Sequence, residues 1–208
     1  MINAMKTFTR LFAALIFLSA LIAAPPARAD RQADIQKAEA YLQNLKTLKA
    51  DFTQINHNGG KTTGTFYLNR PGKLRFEYDN SGDFIVADGI FIYYYDSEMK
   101  QQSNTTISNS LADFLLRDVI RLGGDISVTD INRNDGLLNI AIALKDDPGA
   151  GKLVLGFSEE PMQLRRWHVV DAQGLTTQIV LKNIETGLNL SRRLFYYHDP
   201  ERGRPNYN

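Results

Sequence analysis

The sequence predicts a mainly β fold: a meandering antiparallel sheet of roughly ten or eleven short strands, with one long helix in front and one short helix in the middle. Two observations carry this. Apolar residues recur at intervals of three and four near the start and then at intervals of two, and turn pairs such as Pro71-Gly72, Asp88-Gly89 and Asp96-Ser97 punctuate the rest. Connections this short favour a sheet that curls, and a curling sheet either closes or must cover its open side.

The first 29 residues have the layout of a secretory signal peptide. Lys6 and Arg10 precede an apolar run from Leu11 to Ala24, then Pro25-Pro26 and the triplet Ala27-Arg28-Ala29. The run is shorter than the roughly 20 residues that a membrane span needs, so cleavage after Ala29 is expected rather than an uncleaved anchor. A single domain is expected over residues 30–208. Removing Lys6, Arg10 and Arg28 from the 24 basic residues leaves 21 against 23 acidic ones, a net charge of −2. That balance offers no basic surface for nucleic acid. The chain has no cysteine, so it cannot itself carry the lipid of a lipoprotein.

From Arg31 to Leu48, Ile35, Ala38, Tyr41, Leu42, Leu45 and Leu48 mark an amphipathic helix. Phe52 to Ile55 opens the β region. Asn58-Gly59-Gly60-Lys61 is a hairpin signal, and Gly64 to Arg70 follow as a strand with Phe66, Leu68 and Arg70 on one face. Lys73 to Asp79 alternates, Leu74, Phe76 and Tyr78 on one side and Lys73, Arg75 and Glu77 on the other. Asp83 to Asp88, Ile90 to Tyr95 and Met99 to Thr105 read as further strands. Ser110 to Leu116 has helical spacing, with Ser110 as cap and Asp113 as the acidic half of a capping pair. Strands resume at Leu137 to Leu144, Lys152 to Phe157, Gln163 to Asp171 and Leu175 to Asn183, and a last one is expected at Arg193 to Tyr197, before a loose polar tail.

No catalytic, metal or cofactor site is expected. His57, His168 and His198 lie in separate segments without zinc-site spacing, and there is no G-x-S-x-G elbow. Gly149-Ala150-Gly151-Lys152 lacks the first glycine and the final Ser or Thr of a phosphate loop, and reads as a turn. The aromatic residues spread through the strands suit either a packed core or a ligand cavity. Arg70 bears on that choice. If Phe66 and Leu68 face inward, the chain aims a guanidinium at the apolar side, where it needs acceptors such as the orphan carbonyls of a helix end. The alternative is an arginine at a strand end reaching water.

Phe52-Thr53-Gln54, the run Gly64-Thr65-Phe66-Tyr67-Leu68-Asn69-Arg70-Pro71-Gly72-Lys73-Leu74-Arg75-Phe76-Glu77-Tyr78, then Ile85-Val86-Ala87-Asp88-Gly89 and Tyr94-Tyr95-Asp96 closely resemble the LolA family of outer-membrane lipoprotein carriers. The resemblance implies an incomplete, strongly curved antiparallel β-barrel, covered by the N-terminal helix and a short lid helix. It also implies a non-enzymatic, monomeric periplasmic carrier that takes lipoproteins from an inner-membrane ABC exporter and delivers their acyl chains, sheltered in an apolar cavity, to the outer membrane or an acceptor there. Arg70 matches the family arginine that holds the lid closed, and Leu74 and Phe76 match cavity positions, where Phe66, Leu68 and Tyr78 join them by parity. Leu111, Phe114 and Leu115 fall where the lid helix would be. The end departs from the family pattern, at Leu194-Phe195-Tyr196-Tyr197-His198-Asp199-Pro200 and the arginine-bearing tail. A regulatory module that senses lipids with the same fold is the alternative.

Overall fold

The computed structural model describes residues 26–202. The apolar run of the expected signal peptide therefore lies outside the described residues. The first helix, α1 (Pro26–Asn44), already spans the expected cleavage point after Ala29. It buries Asp34, Ala38 and Leu42, one residue per turn, and leaves its opposite side to solvent. The helix ends earlier than its apolar spacing predicts. Leu48, Ala50 and Phe52 are all buried on one face of β1 (Thr47–Ile55), so the period of two takes over at Leu48.

A first meander continues with β2 (Lys61–Asn69), β3 (Lys73–Tyr78), β4 (Phe84–Asp88), β5 (Phe91–Asp96) and β6 (Gln101–Thr106). Residues 107–125 carry a 3-10 turn and the short helix α2 (Ala112–Leu116). A second meander follows: β7 (Ile126–Asn134), β8 (Leu137–Leu144), β9 (Gly151–Glu159), β10 (Met162–Asp171) and β11 (Thr176–Thr186). Pairing of β1 with β11 joins the two into one antiparallel sheet of eleven strands, ordered β6-β5-β4-β3-β2-β1-β11-β10-β9-β8-β7. The sheet curls without closing. β6 and β7 are its free edges, and α2 belongs to the segment of chain that runs from one edge to the other.

The register explains the core. Across β1, β2 and β3, Ala50 faces Phe66 and Phe66 faces Phe76, while Leu48 faces Leu68 and Leu68 faces Leu74. Phe66 and Phe76 meet Trp167 of β10 at 5.4 and 6.3 Å between ring centres. Leu138, Ile140 and Ile142 of β8 and Leu153, Leu155 and Phe157 of β9 complete the concave side, and Ala38 and Leu42 of α1 close over it. Gly64 is demanded by this packing, because a Cβ there would lie 2.0 Å from the Glu77 carbonyl oxygen.

The opposite face of β4 and β5 holds a second cluster of Phe84, Val86 and Tyr95. Tyr197 covers it, its ring stacked on Tyr93 at 4.7 Å. The chain reaches that position through a 3-10 turn at Arg192–Phe195, so the strand expected at Arg193 to Tyr197 does not form. Ser191 accepts a hydrogen bond from the Arg193 backbone and starts the turn. β7 is a strand that the alternation did not announce. A bulge between Val128 and Asp130 shifts its pattern, and Asp130 and Asn132 dilute its strand character.

Candidate functional site

The β2–β3 turn is where sequence and packing converge. Gly72 has φ of +78°, and a Cβ on it would sit 2.9 Å from the Cα of Gly89, so the Pro71-Gly72 and Asp88-Gly89 turns nest only without side chains. The Gly72 N–H donates to the Leu116 carbonyl at 2.8 Å, which ties this turn to the end of α2.

Arg70 begins the turn and is only 6% exposed. Its Nε donates to the Leu45 carbonyl at 2.8 Å, its Nη2 donates to the carbonyls of Leu42 and Leu45, and its Nη1 reaches the Arg117 carbonyl at 3.5 Å. Every one of these acceptors is backbone. Leu42 and Leu45 lie at the end of α1 and Arg117 is the C-cap of α2, so the guanidinium occupies the space between two helix C-termini. The last carbonyls of a helix have no partner within it and carry its negative dipole end, which suits a buried cation. Burial pulls the Arg70 pKa down, opposed by the charge of Asp118.

α1 also clasps the segment after α2. Glu39 accepts from the Leu122 N–H at 2.6 Å, and Gln43 accepts from the Ile120 N–H at 2.8 Å while donating to the Asp118 carbonyl. Near its middle, α1 is fixed to the sheet. Asp34, buried, receives both terminal nitrogens of Arg133 from β7 at 2.9 and 3.0 Å, and Arg133 also pairs with Glu159 of β9. The helix is thus a bar across the mouth of the curled sheet, held by Arg70 at its C-terminal end and by Arg133 near its middle.

Beneath α2 lies a cavity of about 580 Å³. One wall is Leu111 and Phe114; the other is Ile126 of β7, Ile142 of β8 and Leu153 of β9; Asp113, Arg117, Asp125, Asp146 and Asp147 stand around the opening. A space of this size with apolar walls and polar groups at its edge is the ordinary form of a small-molecule site.

The family model described as outer membrane lipoprotein carrier protein LolA matches residues 43–198. The chain belongs to this family. An outer-membrane lipoprotein carrier protein from Dechloromonas aromatica is 32% identical over 80% of this chain and 84% of the relative. One from Methylococcus capsulatus is 27% identical over 79% and 83%. A solved LolA superfamily protein from Nitrosomonas europaea covers 80% of this chain and 97% of its own, at 10% identity and a TM-score of 0.46. The LolA family is one of carriers rather than enzymes. Among the described residues, no helix is long and apolar enough to cross a membrane.

Within this LolA-family fold the expected site residues fall into two groups. Arg70, Leu111 and Phe114 stand at the helix ends and the cavity. Leu115 is half-buried and packs on the core beside them. Phe66, Leu68, Leu74 and Phe76 belong to the filled core and do not line the open space. Tyr78 packs at the rim of that core, its ring edge-on to Phe52 at 5.3 Å: its hydroxyl donates to Gln54 at 2.9 Å, burial pushes its pKa up to about 12, and with Ile85 and Tyr94 it borders a more polar hollow of about 700 Å³. The capping pair expected for α2 does not form. Leu111 is the N-cap, Ser110 donates its hydroxyl to the Ile107 carbonyl, and Asp113 turns instead to Arg117. Ile126, Ile142 and Leu153 escaped sequence reading as cavity residues, because strand parity gives a face and not what lies opposite it.

Proposed function

We propose that this protein is a periplasmic, monomeric carrier of lipoproteins, exported by its signal peptide, that receives its cargo from an inner-membrane ABC exporter and delivers it to the outer membrane. The observation that carries this reading is Arg70, buried and bonded to the carbonyl ends of both α1 and α2 beside an apolar cavity. Such an arrangement gives the helices two positions. With Arg70 engaged, the cover is shut; with those bonds broken, α2 can swing out, and the cavity extends towards the wall that Phe66, Leu68, Leu74, Phe76 and Tyr78 form below.

The energetics suit transfer. At about 0.8 kcal/mol per buried methylene, an acyl chain of roughly 16 carbons gains on the order of 12 kcal/mol as an upper bound. Free diffusion of such a cargo through water is therefore negligible. A carrier that kept the whole gain could not release it. Breaking the Arg70 bonds and uncovering the apolar walls offsets part of it, so that binding is strong enough to extract and weak enough to hand on.

The test is to incubate the purified protein with spheroplasts bearing labelled lipoproteins whose exporter is active. A one-to-one complex of protein and labelled lipoprotein in the soluble fraction is expected; label that stays with the membranes would overturn the reading.

A further inference from the structure

The cover has only five helical residues, and a helix that short has no stability of its own in water, so the position of α2 is set by the packing of Phe114 and Leu116 into the core and by its polar tethers. Three of them, from Gly72, Arg70 and Gln43, hold its end and the residues after it to the β2–β3 turn and α1. On the opposite side, among the described residues, the polar connection runs through one side chain. Arg117 donates its Nε to Asp113 at 2.8 Å, one turn earlier, and its two terminal nitrogens to both oxygens of Asp125 at 3.0 and 2.7 Å. Asp125 immediately precedes Ile126, where edge strand β7 begins. Asp113 and Arg117 belong to one wall of the cavity and Asp125 to the other.

We propose that Arg117 is a second latch of the cavity, a positioning residue whose bridge from Asp113 to Asp125 holds α2 against β7 and gates the entry of an acyl chain. This deepens the carrier reading and rests on it. The division of labour follows from the geometry. Arg70 sets the balance between the shut and open positions of both helices, since it joins α1 to α2. Arg117 governs only the gap between α2 and the sheet edge, and opening that gap leaves every Arg70 bond in place. The two-pronged pairing with Asp125 is the strong form of an arginine–carboxylate contact, and Arg117 is only 24% exposed. Asp125 is 57% exposed, so salt reaches and weakens the bridge.

The experiment follows the association of a fluorescent long-chain fatty acid with the purified protein by stopped flow, at low and high ionic strength. Asp125→Asn is the informative change, since it removes the crossing pair at an exposed position and leaves Asp113, Arg117 and Arg70 intact; a melting curve checks that it folds as the wild type does. Association about three- to fivefold faster than wild type is expected at low salt, the range of a partly exposed ion pair. Wild-type association should rise with salt towards that of the variant, whose rate should stay level, and Asp125→Glu should restore the wild-type rate and salt response. Equal rates and equal salt responses in all three proteins would overturn the latch while leaving the carrier reading standing. Absence of probe binding in the wild type and in Arg70→Leu alike would strike the carrier reading itself, and the latch with it.

Discussion

Replacing Arg70 by leucine removes the donors to Leu42, Leu45 and Arg117 while keeping an apolar side chain in the space. An acceptor left buried and unsatisfied costs about 1–3 kcal/mol. The contact with Arg117, at 3.5 Å, is at the limit of hydrogen bonding and adds little. The two α1 carbonyls, less the desolvation that the guanidinium no longer suffers, put the loss at roughly 3 kcal/mol. It falls on the shut position, because in the open one those carbonyls meet water. The ratio of shut to open should therefore drop by on the order of a hundredfold. Wild-type and Arg70→Leu proteins loaded with labelled lipoprotein, then mixed with outer-membrane vesicles, provide the assay. Loading at least as complete as in the wild type is expected, with transfer to the vesicles slowed tenfold or more, because closure no longer helps to expel the cargo. Arg70→Lys should lie between the two, as an ammonium cannot span both carbonyls in a planar fork. Transfer by Arg70→Leu at the wild-type rate would refute the reasoning.

Three further changes probe the rest of the account. Phe66→Ala should destabilise by about 3–5 kcal/mol, read as a fall in Tm of roughly 10 °C, because Phe66 is a core residue with the cover shut; a loss under about 1 kcal/mol would mean that it already faces open space. Arg133→Ala strands the buried Asp34 carboxylate and should lower stability by about 2 kcal/mol, less than a fully buried pair because Arg133 is half exposed, as urea denaturation can show. His168 has a buried Nε2 with no hydrogen-bond partner, and burial, helped by Arg166, pulls its pKa below the ordinary value near 6.5. The unfolded chain then binds more protons than the folded one, so this residue's contribution to stability should fall as pH drops below about 6.5; thermal melts of His168→Gln should show a shallower loss between pH 7 and 5.

The sheet was legible where neighbouring strands impose simple alternation, as in Leu74, Phe76 and Tyr78, and the long helix where Ala38 and Leu42 repeat. β7 was hidden by its bulge. The segment at Arg193 to Tyr197 misled because it forms a 3-10 turn and places Tyr197 over a second cluster from outside the sheet instead of pairing within it. Arg70 stood out in the sequence as a charge sharing a face with Phe66 and Leu68, and the structure supplies the acceptors that such a charge requires. The cavity could not be read in the same way. Its walls come from Phe114 on one side and Ile142 and Leu153 on the other, and only the folding of α2 over β8 and β9 brings them together. The Arg133–Asp34 pair was equally out of reach, its partners being 99 positions apart in the sequence.

The central claim is that acyl chains occupy the space beneath α2. The most direct measurement replaces Phe114 with a photoreactive benzoyl-phenylalanine, loads the protein from spheroplasts carrying lipoproteins with labelled acyl chains, and irradiates the soluble complex. The account predicts that label becomes covalently attached through position 114 and not through the same group placed at Leu175, which is exposed in the β10–β11 turn; a soluble complex that forms but gives no attachment at position 114 would contradict it.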